Sequence, residues 1–314
     1  MSAAPESSDL LCAALLKLRA RAAGLLPAFW GTLVHGAWLR WVQAVDPALS
    51  VRLHAENQER PFTCSALWLS DRQTQLRLQE AGQRLAVQQG QICWLRLTML
   101  DGALFGTFAR AALAVAEDET KRAALPPLEL NGIPFDLLEM VVDDRAGASQ
   151  TSWSGWTSYT KLLEQSQQRP LRSLEQLALE FDSPTAFTGE HQPWGRETIV
   201  WPEPQRVFGG LAQRWQRFAP AGLAEAIEPE ALGEYLEERV RIAGYALHTQ
   251  RLHLRQALLV GFVGRCTYLL PPDDTDDHLR CQVQLLADYA FYAGVGHKTA
   301  QGLGRTRRAE HDLS

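Results

Sequence analysis

The chain has 314 residues, of which 46% are hydrophobic, and a formal net charge of −5 at pH 7. This length favours two domains over one, and the acidic balance excludes a uniformly basic nucleic-acid-binding surface without excluding a local one. The five cysteines are widely spaced and form no Cys-x-x-Cys pair, which predicts reduced, buried thiols in a cytoplasmic protein. The N-terminus lacks a basic region before its apolar stretch, and glycine and proline interrupt the uncharged run 22–39, so neither a secretory signal nor a membrane span is expected.

The first half of the chain predicts a β-α-β-β-α-β order, which is typical of a ferredoxin-like domain. The first helix is indicated by apolar residues that recur every three or four positions, and Asp46-Pro47 ends it. In chain order the predicted elements are a strand over 10–21, a helix over 30–45, strands over 62–70 and 91–100, a helix over 103–113 and a strand over 133–142.

The second half predicts the same order with one extra helix. A stretch rich in Ser, Gly and Asp predicts a linker at 146–158, between an N-terminal domain, 1–145, and a C-terminal domain, 159–314. The fold class is therefore α+β, with two tandem ferredoxin-like (RRM-like) domains and a C-terminal glycine-rich loop at 294–304. The predicted elements are strands over 174–181 and 183–187, helices over 207–219 and 229–240, a strand over 256–270, a helix over 273–294 and a short last strand over 305–311.

Charge is segregated towards the C-terminal end. The segment 225–238 contains six glutamates and no cation, whereas 297–308 contains four cations and no carboxylate. Because phosphate attraction depends on where cations lie, the second segment leaves room for a local nucleic-acid-binding surface in an otherwise acidic chain.

A glycine-rich stretch precedes these cations, with the spacing G-x-G-x-x-x-x-x-G-x-G. A P-loop is excluded because His297 precedes Lys298-Thr299 and the stretch follows a helix, and a dinucleotide fingerprint is excluded by the C-terminal position. Two interpretations remain: a backbone nest that binds an anion, and a glycine-rich turn with a solvated basic tail. The glycines are Gly294, Gly296, Gly302 and Gly304.

The stretch ADYAFYAGVGHKTAQGLGR closely resembles the C-terminal signature of the CRISPR precursor-crRNA processing endoribonucleases, the Cas-six family of the RAMP superfamily. The upstream strand VGFVGRCTYLLP and the segment LEFDSPTAF are also similar to that family, so the resemblance covers most of the second half in order. It implies tandem ferredoxin-like domains and a glycine-rich loop that contacts RNA. The matching positions are Phe291, Gly294, Gly296, Lys298, Thr299, Gly302 and Gly304.

The resemblance implies an endoribonuclease that cuts CRISPR repeat RNA in precursor crRNA without a metal or a small-molecule cofactor. In such a reaction the ribose 2′-OH attacks the neighbouring phosphate, which leaves a 2′,3′-cyclic phosphate and a 5′-OH. A base, an acid and a cation near the phosphate suffice, and histidine suits acid–base work because its pKa lies near neutrality.

The stretch DPALSVRLHAENQERPFTCSAL is similar to the family's catalytic region, where a histidine ends a short helix and a cation follows before a Phe-Thr-x-Ser strand. His54 matches the catalytic histidine and Arg60 matches the cation, which is often lysine. A guanidinium holds phosphate well but cannot serve as a proton donor, so Arg60 is expected to act by electrostatics.

A second departure concerns the first helix, where some relatives place a catalytic tyrosine at the position of Leu39. His35 lies one turn earlier on the same flank of the helix. Two interpretations stay open: His35 supplies the missing acid or base beside His54, or His35 packs structurally and His54 works alone.

Two further groups are candidates for RNA contact. Trp153, Trp156 and Tyr159 either stack on unpaired bases or fill the seam between the domains. The candidate RNA-binding residues in and near the glycine-rich loop are Gly294, Gly296, His297, Lys298, Thr299, Gln301, Gly302, Gly304, Arg305, Arg307 and Arg265.

The alternative function is a non-catalytic RAMP subunit that holds guide RNA in a CRISPR effector complex. It would keep the glycine-rich loop and lose the acid–base pair, and Leu39 and Arg60 leave room for it. Beyond repeat RNA, the candidate partners are other CRISPR effector or adaptation proteins. Apart from the run DDTDDH at 273–278, which is better explained as a helix N-terminus with loop acids, no residues recur at metal-ligand spacing, and no metal is expected.

Overall fold

The computed structural model describes residues 9–53, 59–69, 72–117, 119–120, 125–142, 153–193, 195–253, 258–271 and 277–309. The chain forms two compact units. The first comprises Met1–Trp156, Arg251–Leu259 and Ala300–Gly302, and the second comprises Thr157–Gln250, Val260–Thr299 and Leu303–Ser314. No helix within the described ranges is both long and apolar enough to cross a membrane.

The first unit is built on an antiparallel sheet with the order β3-β6-β1-β8-β7, and β4 also pairs with β6. The first and third strands of the predicted pattern, β1 and β6, are neighbours in the middle, with β3 and β8 outside them, as a ferredoxin-like fold requires. A separate pair joins β2 and β5. The strands are β1 Leu10–Ala20, β2 Gly24–Leu26, β3 Phe62–Cys64, β4 Trp68–Leu69, β5 Leu85–Val87, β6 Ile92–Met99, β7 Leu128–Leu130 and β8 Ile133–Val141.

The helices of the first unit cover its core with their apolar faces. Trp38 of the first helix stacks on Trp41 at 5.3 Å between ring centroids, and meets Phe62 and Phe108 edge-on. These contacts explain the three-and-four spacing of the sequence, because that spacing places the large side chains on one helical face. The helices are α1 Gly31–Val45, α2 Pro47–Leu53, α3 Arg72–Glu80 and α4 Gly102–Glu117.

The second unit repeats the topology with the sheet order β13-β14-β10-β15. Tyr159, Trp215 and Tyr289 are each 0% exposed and pack against one another where three of its helices meet. A hairpin of β11 and β12 extends from it. The elements that follow β8 along the chain are β9 Gly155–Ser158, α5 Tyr159–Gln167, β10 Gln176–Thr185, β11 Phe187–Gln192, β12 Gly195–Ile199, α6 Pro204–Phe218, α7 Ala221–Ala224, α8 Pro229–Glu238, β13 Arg241–His253, β14 Leu258–Leu269, α9 Asp277–Ala293 and β15 Thr306–Arg308.

The tandem ferredoxin-like prediction is confirmed, whereas several element predictions are corrected. The predicted strand over 62–70 is divided into β3 and β4, because the register to β6 changes between the pairs Cys64–Leu97 and Trp68–Trp94. The predicted strand over 183–187 is not separate, since β10 runs to Thr185 across a bulge. The strand β13 was not predicted at all, because neither of its faces is consistently apolar.

The predicted linker at 146–158 lies partly outside the described residues, at 146–152. Its end is ordered structure, since Gly155–Ser158 is strand β9 and the side chain of Ser158 accepts a hydrogen bond from the backbone N–H of Lys161 to begin α5. The exact limits of the two domains stay a prediction.

Candidate functional site

His35 lies one turn into α1 and is held on two sides within the first unit. Its Nδ1 is 3.0 Å from the carbonyl oxygen of Ala300, and its ring stacks on Phe62 at 5.6 Å between centroids. Because a carbonyl oxygen only accepts, Nδ1 carries the proton and donates. In the neutral ring this leaves the lone pair on Nε2, which is the nitrogen able to take up a proton.

Helix α2 is described over Pro47–Leu53, and the family resemblance implies that a catalytic histidine follows at position 54. Asp46 begins this helix: its Oδ1 accepts a hydrogen bond from the backbone N–H of Leu49 at 3.0 Å, which satisfies one of the free donors of the first turn. His54 itself, the predicted catalytic histidine, lies outside the described residues, which resume at Glu59.

Arg60 is half-buried, and its Nη1 donates a hydrogen bond to the carbonyl oxygen of Leu53. The guanidinium therefore lies at the C-terminal end of α2, beside the residue that precedes His54. Leu39, the position at which some relatives carry a tyrosine, is 7% exposed and belongs to the hydrophobic core. The aliphatic side chain of Leu39 cannot replace the hydroxyl of that tyrosine in proton transfer.

Two glycines of the C-terminal loop allow backbone segments of the second unit to pack closely together. Gly296 and Gly304 have φ angles of 81° and 68°, in the left-handed region that favours glycine. A Cβ at Gly304 would lie 1.9 Å from the carbonyl oxygen of Val295, and a Cβ at Gly296 would lie 2.5 Å from that of Ala186. Both glycines are therefore required by close contact between backbone segments.

Lys298 is the most exposed cation of this loop. Its backbone is in the left-handed region at φ 57°, and it forms no ion pair with any residue that the structure describes. The neighbouring His297 differs, because both ring nitrogens are buried and have no hydrogen-bond partner among the described residues. Burial, followed by the charge of Lys298, lowers the pKa of His297.

Two of the arginines predicted to bind RNA pair with carboxylates on the central strand β10. Arg305, with a side chain only 6% exposed, is paired with Asp182, and Arg307 is paired with Glu180 at 2.7 Å. Arg265 is the residue of β14 that lies opposite Glu180 in the sheet register. The ion pair of Arg305 is therefore buried in the second unit.

The remaining predicted loop residues are placed by packing. The hydroxyl of Thr299 accepts a hydrogen bond from Arg214 at 2.6 Å within the second unit. In the first unit, the carbonyl oxygen of Gln301 lies only 1.8 Å from the position that a Cβ on Gly31 would occupy. The segment 300–302 therefore lies directly against the start of α1. Gly294, with φ 68°, and Gly302, with φ 94°, complete the four glycines in the left-handed region.

Of the three aromatic residues predicted near the linker, one is exposed. Trp153 is 5% exposed, and its carbonyl oxygen accepts a hydrogen bond from Arg96 Nε at 2.7 Å in the first unit. Tyr159 is fully buried in the core of the second unit. Trp156 is 59% exposed and is the one whose ring has a face available for a base.

Sequence reasoning missed the residues that hold the predicted ones in place. Asp46, Arg214, Glu180 and Asp182 each bond to a candidate residue or to the helix that leads to one. The Asp-Pro pair at 46–47 carried a usable signal, since Asp before a Pro is a helix N-cap pattern. Arg214, Glu180 and Asp182 contact residues far away in the sequence, so no local sequence pattern marks them. Within the described ranges, no three His, Cys, Asp or Glu residues group as metal ligands would.

Comparison with known proteins assigns both halves of the chain to one family. The model described as CRISPR Cas6 N-terminal domain matches residues 16–164, and the model described as CRISPR-associated endoribonuclease Cas6 matches residues 179–306. The chain is also similar to the CRISPR-associated endoribonuclease Cas6 of Streptococcus thermophilus, with 26% identity over 130 residues that make up 41% of this chain and 49% of the relative. The corresponding protein of Mycobacterium tuberculosis is 27% identical over 131 residues, which make up 41% of this chain and 37% of the relative. The matched segments thus span half or less of these curated relatives.

Solved structures are similar along nearly the whole chain. A product complex of a Thermus thermophilus Cas6 has a TM-score of 0.71 and 25% sequence identity, and covers 96% of this chain and 100% of that chain. A product complex of another Cas6 has a TM-score of 0.64 at the same identity and coverage. With two family models matched in order and the fold shared over both units, the chain belongs to the CRISPR-associated endoribonuclease Cas6 family.

Proposed function

We propose that this protein binds CRISPR repeat RNA and cuts precursor crRNA at a metal-independent acid–base site in its first unit. The observation that carries the proposal is the hydrogen bond from His35 Nδ1 to the carbonyl oxygen of Ala300, because it orients the ring and leaves Nε2 as the basic nitrogen. Family membership supports the activity, and relatives have been solved as product and substrate-mimic complexes.

The proposed reaction uses the ribose 2′-OH as the nucleophile. One histidine takes the proton from the 2′-OH as the oxygen attacks phosphorus, and the P–O5′ bond breaks as an acid returns a proton to the leaving oxygen. The products are a 2′,3′-cyclic phosphate and a 5′-OH, so atoms and protons balance without a cofactor. We assign His54 and His35 to the two proton transfers, each of which is worth roughly 10²–10⁴-fold in rate.

Arg60 is proposed to stabilise the negative charge that develops on the phosphate oxygens. Its hydrogen bond to Leu53 holds the guanidinium beside the residue that precedes His54. A guanidinium stays charged throughout the working pH range and binds phosphate oxygens as a fork, so the arginine suits this role although it cannot donate a proton in catalysis.

The second unit is proposed to hold RNA through its glycine-rich loop. Lys298 is the main support for this proposal, because it is exposed and forms no ion pair with the described residues. Arg265 and Arg307 lie beside Glu180 in the sheet register, one on each neighbour of β10, and both stay candidates for contact with a phosphate. Arg305, Thr299 and the glycines support the loop in this account, and a repeat hairpin would be recognised by shape and phosphates.

A cytoplasmic location is proposed from the state of the thiols. All five cysteines are free, and four of them are buried. Burial raises the pKa of the Cys12 and Cys93 thiols to about 12, so these side chains act as inert packing groups. Such thiols suit a reducing compartment, in which CRISPR effector or adaptation proteins are further candidate partners.

The test is cleavage of the cognate repeat RNA in excess EDTA, with analysis of the product ends. We expect cleavage to persist and to give a 2′,3′-cyclic phosphate and a 5′-OH. Tight binding without cleavage, in EDTA and in added magnesium alike, would instead support the non-catalytic guide-RNA subunit. Cleavage that requires magnesium would contradict the metal-independent mechanism.

A further inference from the structure

A cavity of about 190 Å³ lies at one edge of the sheet in the first unit, away from the residues assigned above. It is lined by the ends of β1 and β8 and by the segment 125–127 that leads into β7. At ~30 Å³ per molecule it has room for about six waters, which is enough for a flat heterocycle. The cavity therefore has room for a ligand larger than a single ion.

One wall of the cavity carries two arginines that share a carboxylate. Arg21 contacts Asp136 Oδ1 at 2.5 Å, and Arg19 contacts Oδ2 at 3.4 Å. Burial alone would raise the pKa of Asp136, but the hydrogen bonds and charges of Arg21 and Arg19 outweigh it and lower that pKa. Asp136 is therefore ionised and aligns the two guanidinium groups, and Glu119 brings a second carboxylate to the described lining of the cavity.

The guanidinium groups keep donors for a ligand. Each group has five N–H donors, and Asp136 engages only part of the ten that the pair offers. Their side chains are 52% and 47% exposed, so an anion can reach them. Guanidinium groups beside a cavity can donate hydrogen bonds to the oxygens of a phosphate.

The lining of the cavity also has apolar side chains and a second acceptor. Leu125, Pro126, Pro127 and Leu138 are apolar, and Glu119 supplies the carboxylate. A planar base packs on such side chains, and a carboxylate accepts a hydrogen bond from an exocyclic amino group. The combination of apolar side chains, acceptor and paired arginines fits the base and the phosphate of one unpaired nucleotide.

The cavity is remote from His35 within the same unit. His35 packs on Phe62 of β3, at one edge of the sheet order β3-β6-β1-β8-β7, whereas Asp136 lies on β8. Two to three strand spacings of ~4.8 Å, or about 10–14 Å, separate β3 from the strands β1 and β8 that line the cavity. A nucleotide held in the cavity is therefore a neighbour of the cut site and not the nucleotide that is cut.

We propose that the cavity between Arg19, Arg21, Asp136 and the 125–127 segment binds one unpaired nucleotide of the RNA that flanks the cleaved bond. This inference rests on the proposed function, because it takes repeat RNA as the ligand. The cavity would then be a subsite that binds RNA with an unpaired flank more tightly than RNA without one.

The test compares three RNAs: the intact repeat, the repeat without its 5′ unpaired flank, and the repeat without its 3′ unpaired flank. Dissociation constants are measured in EDTA at several salt concentrations for the wild type, Arg19→Gln/Arg21→Gln and Arg19→Lys/Arg21→Lys. The matched control is Arg77→Gln/Arg84→Gln, which removes the same charge from two exposed arginines of the same unit. Thermal unfolding of each variant establishes that it is folded.

We expect the glutamine pair to weaken binding of the intact repeat and to abolish the affinity difference between the intact repeat and one of the trimmed RNAs. The slope of log K against log salt should fall by about 0.7 for each phosphate that the protein no longer neutralises. The lysine pair should retain this slope with weaker binding, since it keeps the charges without the planar forks. The control should retain the preference for the flanked RNA.

Two results would overturn the inference. One is a glutamine pair that distinguishes flanked from trimmed RNA as well as the wild type does, and the other is an equally large weakening in the matched control. Both leave the proposed function standing, provided that the wild type still cuts the intact repeat. Failure of the wild type to bind any of the three RNAs would instead contradict the proposed function itself.

Discussion

His35 donates a hydrogen bond from Nδ1 to the carbonyl oxygen of Ala300 at 3.0 Å, and 265 positions of sequence separate the two residues. The bond joins the helix that carries a candidate catalytic histidine to the short segment 300–302 within the first unit. It fixes which nitrogen of the neutral ring is basic. In the proposed mechanism, this orientation presents Nε2 for the proton transfer assigned to His35.

Gly31 is predicted to be essential for this hydrogen bond. A Cβ at Gly31 would lie 1.8 Å from the carbonyl oxygen of Gln301, so Gly31→Ala must displace the 300–302 segment. We expect a decrease of about 1–3 kcal/mol in the free energy of unfolding and a lower cleavage rate. Denaturant unfolding and single-turnover cleavage measure the two effects.

Gly36 provides the matched control in the same helix. The nearest atom to a Cβ at Gly36 is Arg40 Nη1 at 3.4 Å, on a flexible side chain. Gly36→Ala should therefore stabilise the protein by roughly 0.5–1 kcal/mol through helix propensity. Equal destabilisation of both variants would show that the approach of Gln301 is not the cause.

Asp46 is predicted to position His54 through helix α2. The hydrogen bond from the backbone N–H of Leu49, followed by that from Thr107, lowers the pKa of Asp46 below its ordinary 3.8. Its contribution to stability is therefore present above pH 3.8 and is lost only as the pH falls through the lower folded value. Asp46→Ala should slow cleavage at neutral pH, whereas Asp46→Asn keeps a cap acceptor and should restore most of the rate. Equal rates for the alanine and asparagine variants would exclude a capping role.

Lys298 is predicted to contact an RNA phosphate. Lys298→Gln should weaken binding of repeat RNA and reduce the slope of log K against log salt by about 0.7–0.9. The control is Lys161→Gln, which removes an exposed charge from α5 of the same unit. Filter binding over a range of salt concentrations measures both variants, and an unchanged slope for Lys298→Gln would remove this residue from the interface.

His297 is predicted to make the protein sensitive to mild acid. Burial lowers its pKa below 6.5, so the unfolded chain takes up this proton before the folded one does. The contribution is complete above pH 6.5 and is lost as the pH falls towards the folded value, at up to about 1.4 kcal/mol per pH unit. Urea unfolding of His297→Phe between pH 7 and pH 5 should show a weaker acid dependence than the wild type, and identical pH dependence would contradict the assignment.

The fold was predictable where local periodicity carried the signal. Helix α1 follows from large apolar residues on one face, and β1 and β6 follow from continuous apolar runs that the structure buries. Strand β13 was not predicted because one of its faces is exposed almost throughout and the other mixes exposed and half-buried residues, so no apolar pattern marks it. Its pairing is decided by β14, which lies later in the chain.

Sequence motifs located the candidate site residues, but the sequence did not show which residues contact one another. Glycine spacing located the C-terminal loop, yet the close approach of Gly304 to Val295 shows that the glycines are needed for contact between backbone segments. The pairing of Arg305 with Asp182 spans 123 positions, so charge counting along the sequence presented Arg305 as an available cation. Only the sheet register shows which arginines face carboxylates.

The most direct test is the single-turnover rate on repeat RNA in excess EDTA for the wild type, His54→Ala and His35→Ala. We predict that each alanine variant is slower by roughly 10²–10⁴-fold while still binding the RNA, and that the wild-type rate shows two inflections with pH. Full activity in His35→Ala, with a single inflection in the wild type, would contradict the paired-histidine site and leave His35 as a packing residue between Phe62 and Ala300.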